Sequence, residues 1–372
     1  MLNEKELDFL GILNWHKKGY KGRNIVIASR ENVLPDYFDN IEAYQFESKH
    51  SEWAKHGTNV MDFINQVAPE ARKLTFEFHG SNKEIFTSPH SKYIQDIIPD
   101  VLTTSLFGGE HRGTYADYFK RLYDSGTFLC CAAGNDGNKG LVQLSNGDMW
   151  KAIGACRYNK GKIVIANYSS RGKELDFMSL DALRATWSEK VCTGTSFASP
   201  LFAGMVALVQ SFFIDKTGHK LDHKALQQFI IDNCVDLDKE GKDINSGYGL
   251  FILPDPDSIN VSKYAKVIDM EEVFDYLKEE KQLLEPDYWK IKIAEEDKLK
   301  WLFIKWAVAV RFARCKYSDI DDIYNYNVEP VLTWLNQNGY LYEPDYWRKK
   351  IAKEPKLRWM FYKWYNAIRR VK

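Results

Sequence analysis

Apolar positions along the chain switch between two spacings. Leu7, Leu10, Leu13 and Trp15 recur at helical intervals over residues 5–18, and Gly19 to Gly22 ends that pattern as a turn. Ile25 to Ala28 is a short unbroken apolar run and reads as a buried strand. Met61, Phe63, Ile64 and Val67 then share a helical face just after His56-Gly57-Thr58. Val101 to Phe107 reads as a strand ending in the Gly108-Gly109 turn, and Thr127 to Cys131 as a buried strand running into Gly134-Asn135-Asp136-Gly137. The longest helical pattern follows Gly194-Thr195-Ser196, where Leu201, Phe202, Met205, Val206 and Leu208 keep one apolar face. A further amphipathic helix starts at Leu221-Asp222-His223.

After Pro254-Asp255-Pro256 the pattern changes to a charged, aromatic-rich one, and it repeats. Glu285-Pro286-Asp287-Tyr288-Trp289 recurs as Glu343-Pro344-Asp345-Tyr346-Trp347, and Lys298-Leu299-Lys300-Trp301 as Lys356-Leu357-Arg358-Trp359. Pro286 and Pro344 suit the first turn of a helix, with the adjacent aspartate favourable at its N-terminus. Leu302, Phe303, Trp306 and Val310 supply an apolar stripe. Each unit therefore reads as a short helical hairpin or triplet, and two such units bury a core only by stacking on each other or on a partner. The expected organisation is a first domain over 1–254, a linker over 255–267 and an all-α domain over 268–372, with repeats at 268–313 and 326–371.

Composition narrows the classes. The 372 residues include 51 basic and 51 acidic side chains, so net charge gives no argument for nucleic acid or an anionic membrane. No run approaches eighteen consecutive apolar residues, so no transmembrane span is expected. The N-terminal Met1 to Leu7 mixes charges and lacks the apolar core of a signal peptide, so the expectation is a protein cytoplasmic as synthesised. The six cysteines show no C-x-x-C pair and are read as free thiols, with Cys130 and Cys131 packing as small hydrophobes.

The chemistry gathers at Gly194-Thr195-Ser196-Phe197-Ala198-Ser199-Pro200. A serine at a helix start sits where backbone N–H groups and the helix dipole favour an oxyanion. This stretch resembles the nucleophile motif of the subtilases, the subtilisin-like serine peptidases. His56-Gly57-Thr58 resembles the general-base motif of the same family, and Ala132-Ala133-Gly134-Asn135 its oxyanion segment. The similarity extends to Gly19-Tyr20-Lys21-Gly22, to Asn167-Tyr168-Ser169-Ser170-Arg171-Gly172 and to Gly247-Tyr248-Gly249-Leu250, in family order over roughly residues 8–254. It implies an α/β, doubly wound, mostly parallel sheet flanked by helices, beside a small all-α repeat domain. It also implies Ser196 as nucleophile, His56 as general base, Asn135 as an oxyanion donor, and an extended peptide lying along Ser105, Leu106 and Phe107. Ala132, Ala133 and Gly134 would line a specificity pocket. The chemistry requires neither cofactor nor metal, and no acidic loop has convincing calcium spacing. In secreted members a folding propeptide precedes the catalytic domain, which is expected here to begin almost at Met1.

One member of the triad departs from the family pattern. Subtilases carry an aspartate just after the first core strand, whereas Ile25-Val26-Ile27-Ala28-Ser29-Arg30-Glu31-Asn32 holds none. Alignment on the strand puts Ser29 at that position; alignment on the Gly22 turn puts Glu31 there. Asp36 and Asp39 are weaker candidates. The expected activity is a serine endopeptidase in which Glu31 takes the aspartate's place. The alternative is a weak or inactive subtilase scaffold acting in binding or assembly. The Pro-Asp-Tyr-Trp repeats resemble modules appended to phage and prophage lytic enzymes. Core packing accounts for most of the aromatics, while an exposed face of some tryptophans and tyrosines would serve a protein or cell-wall partner or a homo-oligomer; for a phage-associated protein, release on lysis is expected.

Overall fold

The computed structural model of the chain describes residues 2–34, 41–44, 52–76, 89–105, 114–141, 149–159, 161–265, 270–280, 285–294, 328–337 and 343–358, together with 283, 296, 298–299, 302–303, 305–307, 341, 360–361 and 363–365. The chain divides into two compact units, Met1–Phe213 with Lys220–Ala265, and Ile214–His219 with Lys266–Lys372.

The strands of the first unit are β1 Val26–Ser29, β2 Ile41–Tyr44, β3 Arg72–Phe76, β4 Val101–Thr104, β5 Phe128–Ala132, β6 Trp150–Asn159, β7 Lys162–Ile165, β8 Leu175–Leu180, β9 Leu183–Arg184, β10 Val191–Cys192, β11 Cys234–Val235 and β12 Leu250–Phe251. Its helices are α1 Glu4–Phe9, α2 Ile12–Lys17, α3 Glu52–Val67, α4 Pro89–Ile97, α5 Thr114–Asp124, α6 Thr195–Thr217 and α7 His223–Asp232. The main sheet has the order β2-β3-β1-β4-β5-β6-β8-β12-β11, with β7 against β6. Neighbours from β2 to β12 are parallel, while β11 and β7 pair antiparallel. Burial on both faces explains why β1 and β5 read as apolar runs rather than as alternating strands. This is the expected doubly wound α/β architecture.

Strand order reverses beside β1. From β1 the chain crosses to the edge strand β2, returns to place β3 beside β1, and then sets β4 on the other side of β1. In open α/β sheets such a switch leaves a crevice at the carboxyl ends of the strands, where sites form.

The centre of the unit is α6. Its apolar window has a mean hydropathy of 1.8, enough by length and composition to cross a membrane, and all of that window is buried within the protein. Phe202 on this helix meets Phe177 of β8 and Phe251 of β12, at centroid distances of 5.4 and 5.8 Å.

Three local departures have physical causes. The helical pattern over 5–18 is broken into α1 and α2 at Gly11, which has φ 78 and lies where a Cβ would come within 2.3 Å of the Leu253 carbonyl oxygen. Helix α3 opens at Glu52, so His56 sits a turn inside it rather than at its start. Residues 255–265, read as linker, are ordered against the first unit. They carry short 3-10 turns at Pro256–Ser258 and Val261–Lys263; Trp15 Nε1 donates to Pro254 O at 2.6 Å, and Tyr264 packs on Phe229.

Cys130, Cys131, Cys156, Cys192 and Cys234 are free; Cys315 lies outside the described residues. Cys130 is fully enclosed and burial pushes its thiol up to about 12, as befits a packing residue.

The second unit holds α8 Met270–Glu279, α9 Pro286–Ala294, α10 Glu329–Gln337 and α11 Pro344–Lys353, with prolines at the first positions of α9 and α11. The repeats stack on each other. Trp289 and Trp306 of the first repeat and Trp347 and Trp364 of the second are buried in one cluster. The polar contacts between repeats are reciprocal. Lys298 pairs with Glu343 and lies 4.2 Å from the Tyr346 ring centroid, while Lys356 pairs with Glu285 and lies 4.1 Å from that of Tyr288. Each repeat thus supplies the neighbour the other needs, and among the described residues Trp289, Trp306, Trp347 and Trp364 are core.

Candidate active site

Glu31 follows β1 by two residues and is completely buried. His56 Nδ1 donates to its Oε2 at 3.2 Å, and the Ser105 backbone N–H donates to its Oε1 at 3.1 Å. With the carboxylate as acceptor, Nδ1 carries the histidine proton and Nε2 is the basic nitrogen. Burial works against protonation of His56, but the hydrogen bond to Glu31 and its charge outweigh burial, so the histidine stands above its ordinary value of 6.5. Ser29, the other candidate for the acid, is buried in β1 with no hydrogen-bond partner for its Oγ among the described residues. The structure therefore brings Glu31, and not Ser29, to His56. Asp36 and Asp39 lie outside the described residues.

The residues after His56 make room for this pair. A Cβ on Gly57 would fall 1.8 Å from the Asn32 carbonyl oxygen and 3.0 Å from Glu31 Cβ, so only glycine lets the Glu31 segment lie this close to α3. Thr58 Oγ1 donates to Ala54 O at 2.6 Å and accepts the Leu34 N–H at 2.9 Å, fastening the same segment. Gly57→Ala is expected to destabilise the fold by about 1–3 kcal/mol through this overpacking. It should also slow acylation by displacing Glu31. A thermal melt and an acylation rate both equal to wild type would contradict this reading.

Ser196 is the second residue of α6 and is 7% exposed. Its neighbour Phe197 packs on the His56 ring at 5.3 Å and on Phe63 at 5.7 Å between centroids, joining the start of α6 to α3. Pro200 lies in the second turn of α6. Lacking an N–H, it cannot donate to the Ser196 carbonyl four residues back. Ser105 Oγ fills that role, donating to Ser196 O at 2.7 Å. Ser105, expected along the substrate, thus spans the carboxylate of Glu31 and the backbone of Ser196. Sequence offered no signal for this, because the missing donor and its replacement lie 91 residues or more apart. Leu106 and Phe107 lie outside the described residues.

Asn135 follows β5 and is exposed. Its Oδ1 accepts from the Thr195 N–H at 3.0 Å and from Thr195 Oγ1 at 3.1 Å. That double acceptance assigns the amide orientation and leaves Nδ2 as the donor. Thr195 Oγ1 in turn accepts the Gly134 N–H at 3.1 Å. In the first turn of α6 the Phe197 and Ala198 N–H groups go to Gly194 O at 3.0 and 3.4 Å, which leaves that of Ser196 for an oxyanion beside Asn135. Ala132 and Ala133 are buried, and Gly134 has φ 107; the Ala133 N–H and the Gly134 carbonyl are committed to Ile153 and Ser170.

A hairpin ties the histidine helix to the segment before α6. Between β9 and β10, the Thr186 N–H donates to Asp62 Oδ2 and Trp187 Nε1 to Asn59 Oδ1, each at 2.6 Å, and both acceptors lie on α3. Among the described residues no group of histidine, cysteine or acidic side chains is arranged to hold a metal.

The chain resembles known proteins. A profile of the subtilase family matches residues 29–249. The chain is 26% identical over 260 residues to the minor extracellular protease Epr of Bacillus subtilis, covering 63% of this chain and 38% of that protein. It is 24% identical over 269 residues to the major intracellular serine protease of the same organism, covering 64% and 84%, and 33% identical over 223 residues to subtilisin DY of Bacillus licheniformis, covering 52% and 79%. Among solved structures, a lanthipeptide protease superposes with a TM-score of 0.53 at 18% identity, covering 68% of this chain and 94% of that one. The prenylagaramide maturation protease PagA gives 0.54 at 18% identity, covering 69% and 99%. At that identity the superpositions speak for the fold alone. The family match spans more than half of the chain, over the segment that carries Glu31, His56, Asn135 and Ser196, and the chain accordingly belongs to the subtilase family of serine peptidases.

Proposed function

We propose that the protein is a serine endopeptidase whose triad is Ser196, His56 and Glu31, with glutamate in place of the family's aspartate. The observation that carries this reading is the 3.2 Å hydrogen bond from His56 Nδ1 to the fully buried Glu31, at the carboxyl ends of β1 and β4 and beside the start of α6. Ser196 Oγ attacks the peptide carbonyl while His56 takes its proton, and the imidazolium so formed is stabilised by Glu31. Asn135 Nδ2 and the Ser196 N–H hold the oxyanion, and His56 returns the proton to the leaving amine. Ser105, Leu106 and Phe107 would carry the substrate backbone, with Ala132, Ala133 and Gly134 at the side-chain pocket.

The reaction needs neutral His56. Because the pKa of His56 is raised, the acid limb of the rate profile should lie above 6.5, and activity should fall as pH drops through it. In Glu31→Gln the raising contributions are gone and burial remains, so the limb should move down. The test is digestion of a mixed peptide library by the purified chain across pH, with products read by mass spectrometry. Cleavage absent from Ser196→Ala, with the acid limb placed as described, supports the reading; cleavage that persists in Ser196→Ala sinks it.

For the second unit, a binding or assembly role is supported by its separate compactness and by the exposed Ile291, which is 65% accessible on α9. A protein or cell-wall partner, as in phage lytic enzymes with similar repeats, fits that role. The same number of subunits in the full chain and in a chain ending at Ala265, measured by sedimentation, with equal peptide cleavage, would count against it.

A further inference from the structure

We propose that Asp181 is a positioning residue for the nucleophile, acting through the backbone of Gly194, and that Arg157 neutralises the charge this requires. The inference rests on Ser196 being the nucleophile. Asp181 is the residue after β8, and its side chain is wholly enclosed. Its Oδ2 accepts the Gly194 N–H at 2.8 Å and also the Tyr168 hydroxyl. Its Oδ1 accepts from Arg157 Nε at 3.0 Å, and Arg157 Nη2 donates to the Tyr168 hydroxyl at 2.9 Å. The Asp181 N–H donates to Cys156 O at 2.9 Å, and the chain then turns away through Ala182 at φ 63, a conformation that L residues rarely adopt.

The group held by this carboxylate lies two residues before Ser196. Gly194 is buried at φ 129, and its N–H has to be satisfied inside the protein. A charged acceptor holds it more firmly than a neutral one. The next amide, that of Thr195, is held by Asn135. Two successive amides ahead of the nucleophile are therefore fixed by side chains from the ends of two different strands. Burial pushes the Asp181 carboxyl up, while Arg157 and the Gly194 N–H pull it down, so the anion depends on these partners. A bare carboxylate here would also oppose the developing oxyanion, and Arg157 offsets that charge.

The test separates positioning from folding. Functional serines are counted with a fluorophosphonate, and the acylation rate by p-nitrophenyl butyrate is then expressed per titrated serine for wild type, Asp181→Asn, Asp181→Ala and Arg157→Gln. The limiting rate per serine should fall about tenfold in Asp181→Asn and about a hundredfold in Asp181→Ala, with little change in the half-saturating ester concentration, as for a displaced reacting group. Arg157→Gln alone should also slow acylation, and combining it with Asp181→Asn should cost less than the product of the two, because neither charge is then left alone. If Asp181→Ala fails to fold, Asp181→Asn and Arg157→Gln carry the test. A merely structural role would lower the titrated fraction and leave the rate per serine unchanged, which would overturn the proposal. A wild type in which Ser196 takes no label overturns the underlying assignment of the nucleophile, and this proposal with it.

Discussion

Glu31→Gln lowers the acylation rate of Ser196 by about ten-thousandfold, the scale seen when the orienting carboxylate of another serine peptidase is made an amide. Ser29→Ala changes the rate by less than about twofold, within the usual effect of a substitution away from the chemistry. The contrast follows from the two environments. Glu31 receives His56 Nδ1 on one oxygen and the Ser105 N–H on the other. A glutamine has one acceptor oxygen for these two donors, and its NH2 would face one of them, so the imidazole loses its tautomer or the β4 end loses its anchor. The Ser29 hydroxyl has no hydrogen-bond partner among the described residues, so it has nothing to contribute. The measurement is the rate of fluorophosphonate labelling on both variants. Similar slowing in the two would undo the assignment of Glu31.

Asn135→Ala removes a different contribution. We expect it to lower the acylation rate by two to three orders of magnitude, about 3–4 kcal/mol of transition-state stabilisation, the range found for such a donor in a serine peptidase of this family. Substrate half-saturation should move little, because the Nδ2 hydrogen bond strengthens only as the carbonyl oxygen becomes charged. The variant also releases the Thr195 N–H and hydroxyl, which now end on Asn135 Oδ1. Asn135→Asp tests that second role by itself, since it keeps an acceptor for Thr195 while discarding the donor. It should be at least as slow as Asn135→Ala, with an acidic group added beside the oxyanion. A rate close to wild type for either variant would remove Asn135 from the oxyanion site.

Several parts of this site were legible from the chain alone, and the reason is local. Ser196 and His56 each sit inside a short motif whose neighbours have a physical task of their own. Gly57 admits the Glu31 segment, and Thr195 sets the Asn135 amide. Glu31 was not separable from Ser29 by reading along the chain, because counting from the strand and counting from the Gly22 turn differ by two residues. The end of β1 at Ser29, and the extension of the chain through Arg30, bring Glu31 to the histidine. The partnership of Ser105 with Ser196 and the clasp of Asp181 on Gly194 depend on pairings across the sheet that no local pattern announces. In the second unit the repeat is visible in sequence, and among the described residues Trp289, Trp306, Trp347 and Trp364 are core because each copy covers the other. The break at Gly11 and the order in residues 255–265 share one cause, close approach of segments far apart in the chain.

The central claim is that Ser196 is activated by the His56–Glu31 pair. Intact-protein mass spectrometry after incubation with a fluorophosphonate tests it most directly. One adduct should form on the wild type, disappear in Ser196→Ala and form far more slowly in Glu31→Gln. A wild type that takes no adduct, or a Glu31→Gln variant labelled as fast as wild type, would contradict the claim and favour a subtilase scaffold whose serine is not activated.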